Sequence, residues 1–357
     1  MKPQLRPAWF FLLALALGTS LALGRAWEDK LVIMPAGPDV QRAQASGEEE
    51  ETEGSESEES EGTEEAEEAE YTPNTKHNET GLAQKVSHTG ARLNASYNFI
   101  NFNKDRLSVS YGMADAEYKR YLAGYGYTDA EMQALRDWKK KARDAVWYKA
   151  YATGGKPAAE KAVAGIDLDY DTKVRALLHA RGMALLAQTN TVECDVPTIV
   201  KRNTQVMQPL ALAIQKLGNE KHYDSEEMVG AVLSLVQTAL VYKIPPMIEN
   251  GVHTGGLLPP ARTILGGWGD CDTKTALMAS VLSSWNTAKM VGVGVPGHYL
   301  MAIRRLPAKG DMFVRYEGLE YVLVEPAGPA WLEPGQVGRH TIELLEGSEG
   351  YKIEPFF

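Results

Sequence analysis

Gly266-Gly267-Trp268-Gly269-Asp270-Cys271-Asp272-Thr273-Lys274 leads into apolar residues at Leu277, Met278, Val281, Leu282 and Trp285. That spacing is helical, with Asn286 as its left-handed stop. A glycine-rich turn therefore delivers one cysteine to the first turn of a buried amphipathic helix. Unpaired backbone N–H groups and the positive end of the helix dipole converge there, and both favour a thiolate over a thiol. The competing reading of Cys271 is a small buried hydrophobe, and the residues downstream shift the balance between the two.

The C-terminal third changes character. Val291, Val293 and Val295 alternate with Gly292 and Gly294, which is strand periodicity, and Pro296-Gly297 turns the chain into a second strand over 298–303. Two more strands are predicted at 312–316 and 321–325, joined at Glu317-Gly318. A helix followed by a run of strands reads as α+β, with the helix packed on a largely antiparallel sheet. His298 opens its strand, and Glu325 closes its own just before Pro326. For these two ends to meet, 321–325 must pair directly with 298–303, leaving 312–316 outside the pair. A thiolate nucleophile needs a base to hold its proton and a carboxylate or amide to orient that base. Cys271, His298 and Glu325 are the candidates for these roles.

Three segments carry a family resemblance. They are Pro260-Ala261-Arg262-Thr263-Ile264-Leu265 leading into Gly269-Asp270-Cys271-Asp272, then Val295-Pro296-Gly297-His298, then Tyr321-Val322-Leu323-Val324-Glu325-Pro326. Together they resemble the transglutaminase-like superfamily, the branch of papain-like thiol enzymes found in many exported bacterial proteins. Upstream, Val236-Gln237-Thr238-Ala239-Leu240-Val241-Tyr242 is similar to the segment that ends the helix before the catalytic core. The resemblance spans about residues 224–337. It implies a transglutaminase-like, papain-like core over 191–357, with Cys271 as nucleophile, His298 as base and later acid, and Glu325 as orienting carboxylate. It also implies Gln237 as a side-chain oxyanion donor beside the backbone N–H of Cys271. The family's usual third member is aspartate, so Glu325 departs by one methylene. The activity implied is attack on a peptide or protein amide through a thioester, with no cofactor. Hydrolysis, as in a peptidase or amidase, is favoured over amine cross-linking, because the accessory β-domains of cross-linking enzymes are not visible in the sequence. Cell-wall peptide stems and periplasmic proteins are the envelope substrates it suggests.

Residues 76–190 resemble no family and read as mainly helical, with a hairpin over 97–111. Thr128-Asp129-Ala130-Glu131 is a capping box for a helix to about residue 152, ended by Gly154-Gly155-Lys156-Pro157. Further helices are predicted over 170–186, over 206–217 and from Asp224 onward. Asp167, Asp169 and Asp171 imitate the start of an EF-hand loop, but Thr172 and Leu178 stand where glycine and glutamate are required. Zinc is not expected either, since no Cys-x-x-Cys or His-x-x-x-His spacing occurs. Asp270 and Asp272 are expected to stabilise the helix start electrostatically. Trp268 reads as a packing anchor or a cover for an acyl site, and His253 as a loop residue.

Lys2 and Arg6 precede an apolar stretch over 8–17, and Ala22-Leu23-Gly24 offers small residues for cleavage. This reads as a signal peptide over 1–24, placing the mature protein in the periplasm or outside the cell, with no later transmembrane span. Residues 48–70 contain fourteen glutamates and no basic residue, and without them the net charge of −10 becomes +4. Such a block cannot bury a core, so 25–75 reads as a disordered acidic linker. Nothing in the composition points to nucleic acid. Two further readings stay open. One is a non-catalytic peptide- or partner-binding module on the same fold; the other is a structural protein held by a disulfide between Cys194 and Cys271, the only two cysteines.

Overall fold

The computed structural model describes residues 32–34, 41–42, 83–187, 189–285, 288–347 and 350–357. The expected signal peptide, the acidic block 48–70 and the helix stop at Asn286 lie outside the described residues. Two short strands, β1 (Val32–Met34) and β2 (Gln41–Arg42), fall inside the stretch expected to be linker and pair with the edges of the main sheet.

The region expected to be mainly helical begins as a sheet. β3 (Ala83–Thr89), β4 (Arg92–Ile100) and β5 (Arg106–Ala114) form three antiparallel strands. The hairpin expected over 97–111 is the β4–β5 part of it. Tyr97 and Phe99 on β4, with Leu107, Val109 and Tyr111 on β5, bury one face with the period of two that a pleated strand imposes. After α1 (Asp115–Leu122) and β6 (Tyr127–Thr128), α2 (Asp129–Ala180) opens on the capping box of Thr128 and Glu131. It is a pair of helices joined at Gly155, where φ is 67° and ψ −163°, in the turn expected at 154–157. The second arm corrects the helix predicted over 170–186. It starts at the turn, where Pro157 is pre-organised for a first helical position, and ends at Ala180. Gly182 then takes φ 75°, and β7 (Met183–Leu186) pairs with β8 (Thr191–Cys194).

α3 (Val196–Lys221) starts earlier than the helix predicted over 206–217, because Asp195 caps it and proline fits its first turn. α4 (Ser225–Ser234) opens on the capping box of Asp224 and Glu227 and passes into a π-helical turn, Leu235–Ala239. Short strands β9 (Val241–Tyr242), β10 (Ile248–Glu249) and β11 (Val252–His253) lead to α5 (Pro260–Gly266) and β12 (Trp268–Gly269). His253, expected in a loop, is in β11, stacked on Tyr127 at 4.7 Å and 2.9 Å from Asp129. α6 (Cys271–Ser283) follows, then β13 (Met290–Val295), β14 (His298–Arg304), β15 (Met312–Tyr316), β16 (Leu319–Val324), α7 (Arg339–Glu346) and β17 (Tyr351–Pro355).

The fold is α+β, built on one antiparallel sheet of order β1-β17-β13-β14-β16-β15-β2. β16 pairs directly with β14, Met301 opposite Val324, and β15 lies outside the pair, as the His298–Glu325 geometry required. The valines of β13 pack on the α7 side with Leu300, Leu323 and Leu345. The glycines between them leave a notch for Tyr299, since a Cβ at Gly292 would overlap its hydroxyl. α6 is buried from Thr273 to Leu282 between α3 and the other face of the sheet. Each of its large apolar side chains contributes about 1.5–3 kcal/mol of burial. One apolar cluster runs from Tyr97 and Phe99 through Met207 and Ile214 to Leu277 and Val281, crossing the domain boundary expected at residue 190. Among the described residues no helix is long and apolar enough to cross a membrane.

Candidate active site

Cys271 is the first residue of α6. Asp270 is the N-cap, in extended conformation, with its side chain accepting from the Thr273 N–H. Gly269 is needed for this entry, because a Cβ there would overlap the Thr273 side chain. β12 lies parallel to β9, and the Lys243 N–H donates to Gly269 O at 3.2 Å. This pairing sets Tyr242 beside Cys271, to which its hydroxyl is hydrogen-bonded. Lys274, fully buried one turn along α6, donates from Nζ to Leu240 O at 2.9 Å and fixes β9 from below. Burial lowers the Lys274 pKa to about 7.

His298 and Glu325 meet because β14 and β16 are antiparallel neighbours. His298 Nε2 lies 2.8 Å from Glu325 Oε1, and the ring shares the cavity wall with Cys271, close enough for the two to shift each other's titration. Burial opposes the charged imidazolium. The interactions with Cys271 and Glu325 and the nearby negative charge outweigh it, pushing the His298 pKa up to about 10. Glu325 is 4% exposed, and its second oxygen, Oε2, accepts from Thr341 Oγ1 on α7 at 2.7 Å. Three predicted residues are thus brought together: Cys271, His298 and Glu325.

Gln237 is not with them. Its Nε2 donates to Glu325 O at 2.8 Å and to Leu332 O at 3.0 Å, while Oε1 accepts from the Leu332 N–H at 3.1 Å. Both donor hydrogens are engaged on backbone carbonyls, so the oxyanion role expected of Gln237 is corrected to a clamp on the end of β16. Its place in the π-helical turn fits that duty, since the extra residue re-aims a side chain. Tyr242 was legible only as part of the segment resembling the family. Thr341 had no local signal, because its partner is reached only through the fold.

The cysteine and histidine open on a cavity of about 580 Å³, also lined by Cys194, Asp270, Asp272, Tyr299, Lys352 and Glu354. Cys194 and Cys271 are both free thiols, so the disulfide reading is not what the structure holds. The Cys194 thiol donates to Thr254 O at 3.3 Å; burial, then the charge of Asp272, raises its pKa. Asp272 is more than a helix-start charge: burial, then the hydrogen bond and charge of Asp270, push its pKa up to about 8, while its Oδ1 accepts from the Thr273 N–H at 2.7 Å. Trp268 is not among the cavity-lining residues; the Lys243 ammonium sits over its ring at 4.9 Å.

This geometry offers a polarised thiol, a proton carrier held by a buried carboxylate, and a cleft of the size that takes a ligand. No protein-family model matches the chain, and comparison with curated proteins and with solved structures likewise finds no match.

Proposed function

We propose that the protein is an exported, cysteine-dependent hydrolase of peptide or protein amides, built on a transglutaminase-like core that the helical hairpin and the three-stranded sheet precede and support. The observation that carries this reading is the convergence of Cys271, His298 and Glu325, with His298 hydrogen-bonded to Glu325 and beside Cys271 at the wall of an open cleft. Cys271 Sγ attacks the amide carbonyl while His298 holds the thiol proton. The tetrahedral oxyanion is met by the Cys271 backbone N–H and, in place of Gln237, by the Tyr242 hydroxyl. His298 returns the proton to the departing amine, leaving a thioester. Water, deprotonated by His298, then releases the acid and the free thiol.

The test is alkylation of the full chain by limiting iodoacetamide at about pH 6, where an ordinary thiol near 8.5 is almost entirely protonated. Selective modification of Cys271 over Cys194, slowed in His298→Ala, supports the reading. Amide hydrolysis by the wild type that is lost in Cys271→Ala completes it. A Cys271 no faster than Cys194, or activity retained in Cys271→Ala, removes it and leaves the cleft as a binding site.

A further inference from the structure

The proposed chemistry makes no use of α2. Its two arms run antiparallel, tied near the base by Glu131 and Arg181. Farther out, Lys173 sits over Trp138 at 4.8 Å, and Asp167 meets Lys139 at 3.0 Å and Arg143 at 3.6 Å. Apolar packing on the body is confined to the base, where Leu135, Val174 and Leu178 meet Met183. Among the described residues, the ion pairs and ring contacts of 138–169 stay inside the hairpin. At about 1.5 Å per residue the first arm is roughly 39 Å long, so the turn at 154–157 stands clear of the body.

The distal half has its own composition. Residues 139–161 carry seven basic side chains and two acidic ones, in a chain whose net charge is −10. Lys140, Lys141, Lys149 and Lys161 are exposed. Beside them Tyr148 is 76% exposed and Tyr151 54% exposed, and Trp147 stacks on Tyr151 at 6.1 Å. Exposed aromatic rings set among cations fit an occupant that offers negative charge with an apolar layer beneath it. A soluble polyanion with no apolar or aromatic face, such as a polyphosphate or a sulfated glycan, would satisfy the lysines and leave the rings in water. An anionic bilayer satisfies both, since tyrosine and tryptophan settle at headgroup level while lysines reach the phosphates.

We propose that the tip of α2 docks on bilayers rich in anionic phospholipid, making the hairpin a spacer between the lipid surface and the cleft. The experiment is peptide-resolved hydrogen exchange on the full chain, with vesicles of phosphatidylglycerol and phosphatidylcholine or of phosphatidylcholine alone. Reading exchange at the tip separates this contact from any made by the apolar N-terminal stretch. Exchange over 145–162 is expected to slow by about tenfold or more on the anionic vesicles only. Tyr148→Ser with Tyr151→Ser, and separately Lys149→Glu with Lys161→Glu, should each abolish that slowing with the unfolding temperature unchanged. Tip exchange that ignores anionic vesicles overturns the proposal. So does slowing that survives the tyrosine substitutions, since charge alone would then suffice for any polyanion. Neither result depends on the reactivity of Cys271.

Discussion

Glu325 carries one methylene more than aspartate, and Thr341 removes the freedom that methylene adds. One carboxylate oxygen is on His298 at 2.8 Å and the other on Thr341 at 2.7 Å, while Gln237 holds the backbone carbonyl of the same residue. Thr341→Val leaves a buried carboxylate oxygen unpaired, a loss of about 1–3 kcal/mol. It is expected to slow iodoacetamide modification of Cys271 several-fold, with Thr341→Ser restoring the rate. His298 gives a pH signature of definite sign. Its pKa stands near 10 against an ordinary 6.5, so the folded state keeps a proton that the unfolded chain releases. The resulting stabilisation is complete below pH 6.5 and is lost as pH climbs through 10. Urea unfolding of the wild type against His298→Asn should therefore differ most at the acid end of that window. Asp272 also has a raised pKa, about 8 against 3.8, so it costs stability progressively over that interval and nothing below it. Asp272→Asn is expected to stabilise the protein near pH 8 and to be neutral near pH 4, read by urea unfolding at the two pH values. Cys271, His298 and Glu325 were legible in the sequence because each sits at an element end marked by local turn residues. Gln237 was misread and Thr341 missed for the same physical reason: their partners are 88 and 16 residues away and are defined only by packing.

At the scale of elements, strand pairing was the most readable feature and helix extent the least. The pairing of β14 with β16 followed from asking two strand ends to meet, which fixes both direction and neighbour. The start of α3 and the length of α2's second arm were underestimated because burial of one stripe, in Val196, Ile199 and Val200 or in Ala159 and Val174, extends helices beyond their strongest periodic core. The Val–Gly alternation of β13 was read as periodicity alone, and the structure adds its reason. Glycine at 292 makes room for Tyr299, whose hydroxyl donates to Glu354 Oε2 at 2.7 Å. Gly292→Ala is expected to destabilise by about 2 kcal/mol or more through overpacking. Combined with Tyr299→Ala, the loss in urea unfolding should be clearly less than the sum, because the two changes share one volume.

Over the whole molecule, the three-stranded sheet is part of the core of the body that carries the cleft. Tyr97 on β4 donates to Ile264 O on α5, the helix that precedes the cysteine turn, and lies fully buried. Removal of residues 83–114 is therefore expected to abolish folding, seen as loss of the cooperative thermal transition in circular dichroism. The distal hairpin behaves oppositely. Excising 139–169 and closing the arms with a short turn should leave the unfolding temperature within a few degrees of the wild type, since apolar contact with the body ends near Leu135 and Tyr170. That asymmetry makes Gly154-Gly155 a natural seam. The two arms begin and end at neighbouring points on the body, so a foreign domain whose own termini lie close together can be spliced into the turn without straining the sheet or the cleft. A fluorescent protein placed there would report, by energy transfer to a dye on the cleft thiol, how far the tip stands from the cleft, turning the length of one helix pair into a measurable distance.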